Sequence, residues 1–144
     1  MPSIIVFSKD RPMQLHAYLE SLFLFSDAQA KDVTVLFKET PEIDYSRVID
    51  SFSSVNWVRE DVFHSDLLKI INQSDEYIMF GCDDVVFTGP FNLEFAKNIL
   101  QENADIFGFS FRLGNNIQPQ PKESISFGGY RSWQWSEKIG RAHV

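Results

Sequence analysis

The chain of 144 residues is predicted to be an α/β protein built on a mainly parallel sheet. Short apolar runs alternate along it with segments whose apolar residues recur at helical spacing. The runs are continuous rather than alternating, as in strands buried on both faces. Three of them end in polar clusters, at the edge where open parallel sheets bind their ligands.

Residues 4–8 form the first run and are expected to be a strand. Pro12 suits the first turn of a helix, and Leu15, Leu19, Leu22 and Phe23 follow at helical spacing. Residues 33–37 are short and β-branched, a second strand. Residues 43–52 are a weaker helical segment, and residues 55–58 a third strand. Phe63, Leu67, Ile70 and Ile71 make a helical stripe, with Ser65 a plausible N-cap. Residues 77–80 are the fourth strand. Pro90 is expected to open another helix carrying Phe91, Phe95 and Ile99, and residues 105–111 read as a fifth strand. Beyond Leu113 the chain turns to Gly, Asn, Gln, Pro and Ser, a loop with a short strand at residues 125–127. Strands alternating with helices imply right-handed crossovers and helices on both faces of the sheet, a Rossmann-like, three-layer arrangement.

Composition narrows the function. With 44% hydrophobic and 23% charged residues, and 14 Phe, the chain suits a core filled by large rings. A net charge of -7 argues against a nucleic-acid surface, though not against binding one nucleotide. The single cysteine excludes a disulfide framework. The opening residues lack a signal-peptide pattern and no run approaches a membrane span, so a cytoplasmic location is expected, with peripheral membrane association left open. Neither Gly-x-Gly-x-x-Gly nor a P-loop occurs, which argues against dinucleotide oxidoreductases and P-loop kinases.

The chemistry centres on Asp83 and Asp84, two adjacent carboxylates at the end of an apolar strand. Each is costly to bury and each repels the other, so a cation that neutralises both is the simplest explanation. Mg²⁺ or Mn²⁺ takes such oxygen ligands, often one or two carboxylates plus substrate phosphates. The plainer alternative has Asp83 capping a turn and Asp84 solvated. The other polar strand ends are Ser8-Lys9-Asp10-Arg11, where Asp10 is a candidate helix cap, and Lys38-Glu39-Thr40.

The order of a buried first strand, a polar turn, several β/α units and an acidic pair between aromatic strand residues resembles the GT-A glycosyltransferases, near the inverting family-2 type. The triplet Cys82-Asp83-Asp84 stands where that family has an acidic Asp-x-Asp motif, with Cys82 in the place of the first acid. The resemblance implies that Asp84 binds a metal ion and that Asp83 lies at the ion, donor sugar or ribose. The stretch Phe7-Ser8-Lys9-Asp10-Arg11-Pro12-Met13-Gln14-Leu15 also resembles the opening of these enzymes. By that likeness the backbone at Phe7 and Ser8 meets the nucleoside, and Lys9 or Arg11 the phosphates. Glu39 matches an acid facing the nucleoside, and Arg112, within Phe109-Ser110-Phe111-Arg112-Leu113-Gly114, a residue near the diphosphate or acceptor. The function implied is transfer of a sugar from a nucleotide-diphosphate-sugar donor to a hydroxyl acceptor, with Mg²⁺ or Mn²⁺ as cofactor.

Other readings stay open. A non-catalytic nucleotide- or carbohydrate-binding module, or an inactive fragment, fits the same residues. A nucleotidyltransferase shares the sheet and metal logic, but normally has glycines after the first strand. A phosphatase with an Asp nucleophile usually places its acids after the first strand, not the fourth. The three histidines show no metal-ligand spacing, and Cys82 reads as a small buried filler. Trp133 and Trp135 alternate, so that both rings share a strand face for stacking a sugar or for core packing. No general base is identified. The last residues, Ile139-Gly140-Arg141-Ala142-His143-Val144, are what ATC GGA AGA GCA CAC GTC encodes, a string resembling a sequencing-library adapter. Residues 139–144 are therefore expected to be a non-native tail, and residues 1–138 a single, incomplete nucleotide-sugar-binding domain.

Overall fold

The computed structural model describes residues 1–111 and the backbone of residues 124–127 and 130–133. The chain divides into two compact units, Met1–Phe109 and Ser110–Val144. The first holds β1 (Ser3–Lys9), α1 (Pro12–Phe25), β2 (Val33–Lys38), α2 (Ser46–Ser51), β3 (Asn56–Arg59), α3 (Phe63–Gln73), β4 (Ile78–Cys82) and α4 (Leu93–Glu102). In the second, β5 (Ser124–Phe127) and β6 (Tyr130–Trp133) pair antiparallel.

The four strands of the first unit form one parallel sheet in the order β3-β2-β1-β4. The α/β class and parallel sheet expected from the alternating pattern are therefore observed. β1 is central, and Ile4, Ile5 and Val6 in it are fully buried. From β1 the chain winds outward through β2 to β3, then returns past β1 to lay down β4 on the far side. With right-handed crossovers, that reversal puts α1 and α2 on one face and α3 on the other. The contacts agree. Tyr18 of α1 lies against Gly81, which pairs with Val6, and His16 and Phe23 of α1 pack on Phe52 at the end of α2. On the opposite face, Leu67, Ile70 and Ile71 of α3 pack with Ile5, Phe7, Leu36, Val58 and Ile78.

Helix α1 has Pro12 in its first turn and no side-chain cap at Arg11. A missing cap forgoes about 1 kcal/mol. Fully burying each of Leu15, Leu19 and Leu22 contributes roughly 1.5–3 kcal/mol, so packing rather than capping fixes this helix.

Three local expectations are corrected. Ser65 is not the cap of α3: the helix starts at Phe63, and the Ser65 hydroxyl donates back to the Val62 carbonyl (3.1 Å). The end is secured instead by Asp66, whose Oδ2 accepts from the Asp61 and Val62 N–H groups (2.9 and 3.0 Å) while Oδ1 meets Lys69. Pro90 does not open α4. The helix begins at Leu93, because the Asn92 side chain accepts from Phe95 N–H and the Asp27 carboxylate from Leu93 and Glu94 N–H. Its buried residues are Leu93, Ala96 and Ile99, not Phe95. Residues 105–111 are not a strand: Ala104 and Asp105 form a turn and Phe107 is 99% exposed. An apolar run makes a strand only where it pairs with a neighbour, and composition alone does not decide that.

Two outcomes are expected. A Cβ at residue 81 would lie 2.7 Å from the Tyr18 ring. Gly81→Ala should thus cost about 1–3 kcal/mol in urea unfolding through overpacking, and an unchanged midpoint would refute this contact. The Asp61 N–H bond, with help from Lys69, holds the Asp66 carboxyl below the usual range. A carboxyl lowered by folding stabilises above its unfolded value, and that contribution disappears as pH falls through the folded one. Asp66→Asn should therefore lower the melting temperature at pH 7, and the gap from the parent should close below about pH 4. A gap of equal size at pH 3 and pH 7 would contradict this.

Candidate functional site

The winding reverses between β1 and β4, and in open α/β sheets ligands bind at the carboxyl ends of the strands where the strand order reverses. Phe7 pairs with Cys82 there, so Ser8 and Asp83 follow side by side. The Asp83 N–H bonds to the Phe7 carbonyl (3.2 Å), extending the ladder by one step. The Ser8 hydroxyl donates to Asp83 Oδ2 at 2.7 Å, and both side chains are buried. The Cys82 thiol, pushed up chiefly by burial, donates weakly to Oδ1 at 3.8 Å. Arg11 Nη1 also stands 3.8 Å from Oδ1. Arg11 is half exposed, so this ion pair is loose and water-screened.

Asp84 differs sharply from its neighbour: it is exposed. Three residues on, Phe87 is pinned to α1 by its N–H bond to Ser21 Oγ (3.1 Å) and by its ring against Tyr18. The short stretch between β4 and Phe87 thus leaves one acid inside and one outside. The two carboxylates differ in exposure, while the Cys82 thiol feels both of them.

The turn after β1 is shaped by Asp10, whose φ of 57° is left-handed. Asp tolerates that conformation because its short side chain bonds locally. It does not cap α1. Its carboxylate accepts from Thr40 N–H (2.7 Å) and its N–H donates to the Lys38 carbonyl, tying the β1 turn to the end of β2. Lys9 is exposed at the same edge. Glu39 is engaged by Arg59 (2.9 Å), and Lys38 by Glu60 (2.9 Å), two ion pairs linking β2 to β3.

The structure brings Phe7, Ser8, Arg11 and Asp83 together, with Asp84 next in the chain. Lys9 and Glu39 stand at the same edge without contacting them. Arg112 and Trp135 lie outside the described residues. One member is new: Tyr45, fully buried at the start of α2, whose hydroxyl lies 2.7 Å from Ser8 Oγ and 3.0 Å from the Arg11 backbone nitrogen. Its ring packs on Phe37, and burial raises its hydroxyl above the ordinary tyrosine value. Its place after the second strand, on the ligand edge, is the only sequence signal for it. Arg59 was likewise not singled out by the sequence.

The donor set at this edge is carboxylate and hydroxyl oxygen, which suits a hard divalent ion. Among the described residues no group of three or more His, Cys, Asp or Glu side chains converges on one point. One exposed carboxylate plus phosphate oxygens from a substrate is the mode that fits. No helix among the described residues is long and apolar enough to cross a membrane.

No protein-family model matches the chain. Over 126 aligned residues it is 35% identical to a protein of Dictyostelium discoideum named bifunctional glycosyltransferase pgtA. The similarity takes in 79% of this chain and 16% of that protein, so the chain spans about a sixth of the relative's length.

Proposed function

We propose that the chain binds the donor in a metal-dependent glycosyltransferase of GT-A type, near the inverting family-2 kind, which moves a sugar from a nucleotide-diphosphate-sugar to a hydroxyl acceptor. The observation that carries this reading is the Ser8–Asp83 hydrogen bond at the winding reversal, with Asp84 exposed beside it. It joins the two polar strand ends at the ligand edge of the sheet. The likeness to a glycosyltransferase supports the reaction class.

Each residue has a part suited to its surroundings. Asp84 is free to hold Mg²⁺ or Mn²⁺ in company with donor phosphates. The ion, when bound, offsets the charge that builds on the departing diphosphate. Asp83 acts mainly by holding the turn, since Oδ2 is taken by Ser8, while Oδ1 faces the crevice side where Arg11 stands. Arg11 and Lys9 supply the cations for phosphate oxygens, and a guanidinium grips two of them at once. The backbone at Phe7 and Ser8, with Glu39 held by Arg59, lines the nucleoside side.

Calorimetry with UDP, GDP, ADP and dTDP, each with and without Mn²⁺, tests the reading. At least one should bind in a Mn²⁺-dependent way, and Asp84→Asn should weaken that binding on the order of a hundredfold or more. Undiminished binding by the variant would sink the assignment. Binding of a nucleotide sugar with neither transfer nor hydrolysis by a full-length protein would leave a nucleotide-binding module in its place.

A further inference from the structure

Tyr45 is a buried polar group that the donor-site reading does not use. Its hydrogen bonds have only one consistent direction. The Arg11 backbone N–H can only donate, so it occupies the Tyr45 oxygen as acceptor (3.0 Å). The Tyr45 proton is then free for Ser8 Oγ (2.7 Å), and the one Ser8 proton goes to Asp83 Oδ2 (2.7 Å). The high proton affinity that burial gives Tyr45 keeps it a donor at neutral pH. The Arg11 guanidinium closes the circuit on Asp83 Oδ1 at 3.8 Å. Arg11 thus enters the circuit twice, once through its backbone and once through its side chain.

Such a one-way chain polarises each link toward its end, which here is a carboxylate. It also spans three elements: the start of α2, the β1 turn and the end of β4. We propose that Tyr45 is a positioning residue for the donor site, directing Ser8 onto Asp83 and seating the Arg11 turn, so that the turn presents Asp84 and the Arg11 guanidinium to a metal-bound nucleoside diphosphate. This rests on the donor-site reading. Tyr45 itself is buried. Its ring on Phe37 provides packing whether or not the hydroxyl is present, which makes the two contributions separable.

The test uses the 144-residue chain, Mn²⁺ with UDP or GDP as probe, and three variants. Tyr45→Phe keeps the ring and removes the hydroxyl. It should weaken Mn²⁺-dependent binding roughly three- to tenfold, the effect of one buried hydrogen bond. Ser8→Ala should weaken it comparably. The double variant should be no worse than the weaker single, because both act through one link. A residue serving only stability would lower the melting temperature and leave the affinity of the folded protein unchanged. Affinity within twofold of the parent for Tyr45→Phe, or losses that multiply in the double variant, overturns the proposal. Should Tyr45→Phe not fold, unchanged affinity in Ser8→Ala overturns it alone. The third variant, Asp84→Asn, separates the two levels: if it leaves binding intact, the donor-site reading falls as well. If it abolishes binding while Tyr45→Phe does nothing, only the role of Tyr45 falls.

Discussion

The pairing of β1 with β4 is the constraint from which the site follows. β1 lies between β2 and β4 and is covered on both faces, so its apolar residues anchor the whole sheet. The chain winds away from it in one direction and comes back on the other side. Only at that return does the order of the strands reverse, so that β1 and β4 end side by side. The close approach of Tyr18 to Gly81 lets α1 lie flat over the β1–β4 seam.

The same seam explains which parts were legible in the residues. Strands with continuous apolar runs, and helices with a clear stripe such as Leu67, Ile70 and Ile71, were legible because periodicity records burial directly. Boundaries were less so, because they are decided by side chains arriving from elsewhere. Asp27 caps α4 from 66 residues away, and no local pattern announces that bond. The run at residues 105–111 has strand composition but forms a turn at Ala104 and Asp105 and no strand. Among site residues, Ser8, Arg11 and Asp83 were legible because polar groups at the ends of apolar runs are rare and cluster by topology. Tyr45 was not, since its segment is weakly periodic and its contacts depend on how far α2 folds back over β1. Glu39 shows the converse. Its position was apparent, but its partner Arg59 belongs to a strand whose register is set only in three dimensions.

Two adjacent acids invite the idea of a single shared cation, and in the structure they differ in exposure. Side chains alternate along a strand, so neighbouring residues leave it on opposite sides. Asp83 continues the face of Gly81, which is the side packed by α1 and α2, and there it meets Ser8. Asp84, in the turn that follows, is exposed. The inner carboxylate is matched by a hydroxyl, a thiol and a loosely held guanidinium, which together offset the cost of burying it. The outer one is exposed to solvent, and the Cys82 thiol lies within its reach as well.

Cys82 fits this division. A third carboxylate at that position would add a like charge beside buried Asp83, where the present partners are few and Arg11 is half exposed. A thiol that burial keeps protonated adds no charge and offers a weak donor instead. The triplet thus concentrates its negative charge outward at Asp84. Under the proposed metal-dependent reading, a cation held there by a single carboxylate would need the phosphates of its ligand to complete its coordination, so ion and donor would bind together rather than in sequence.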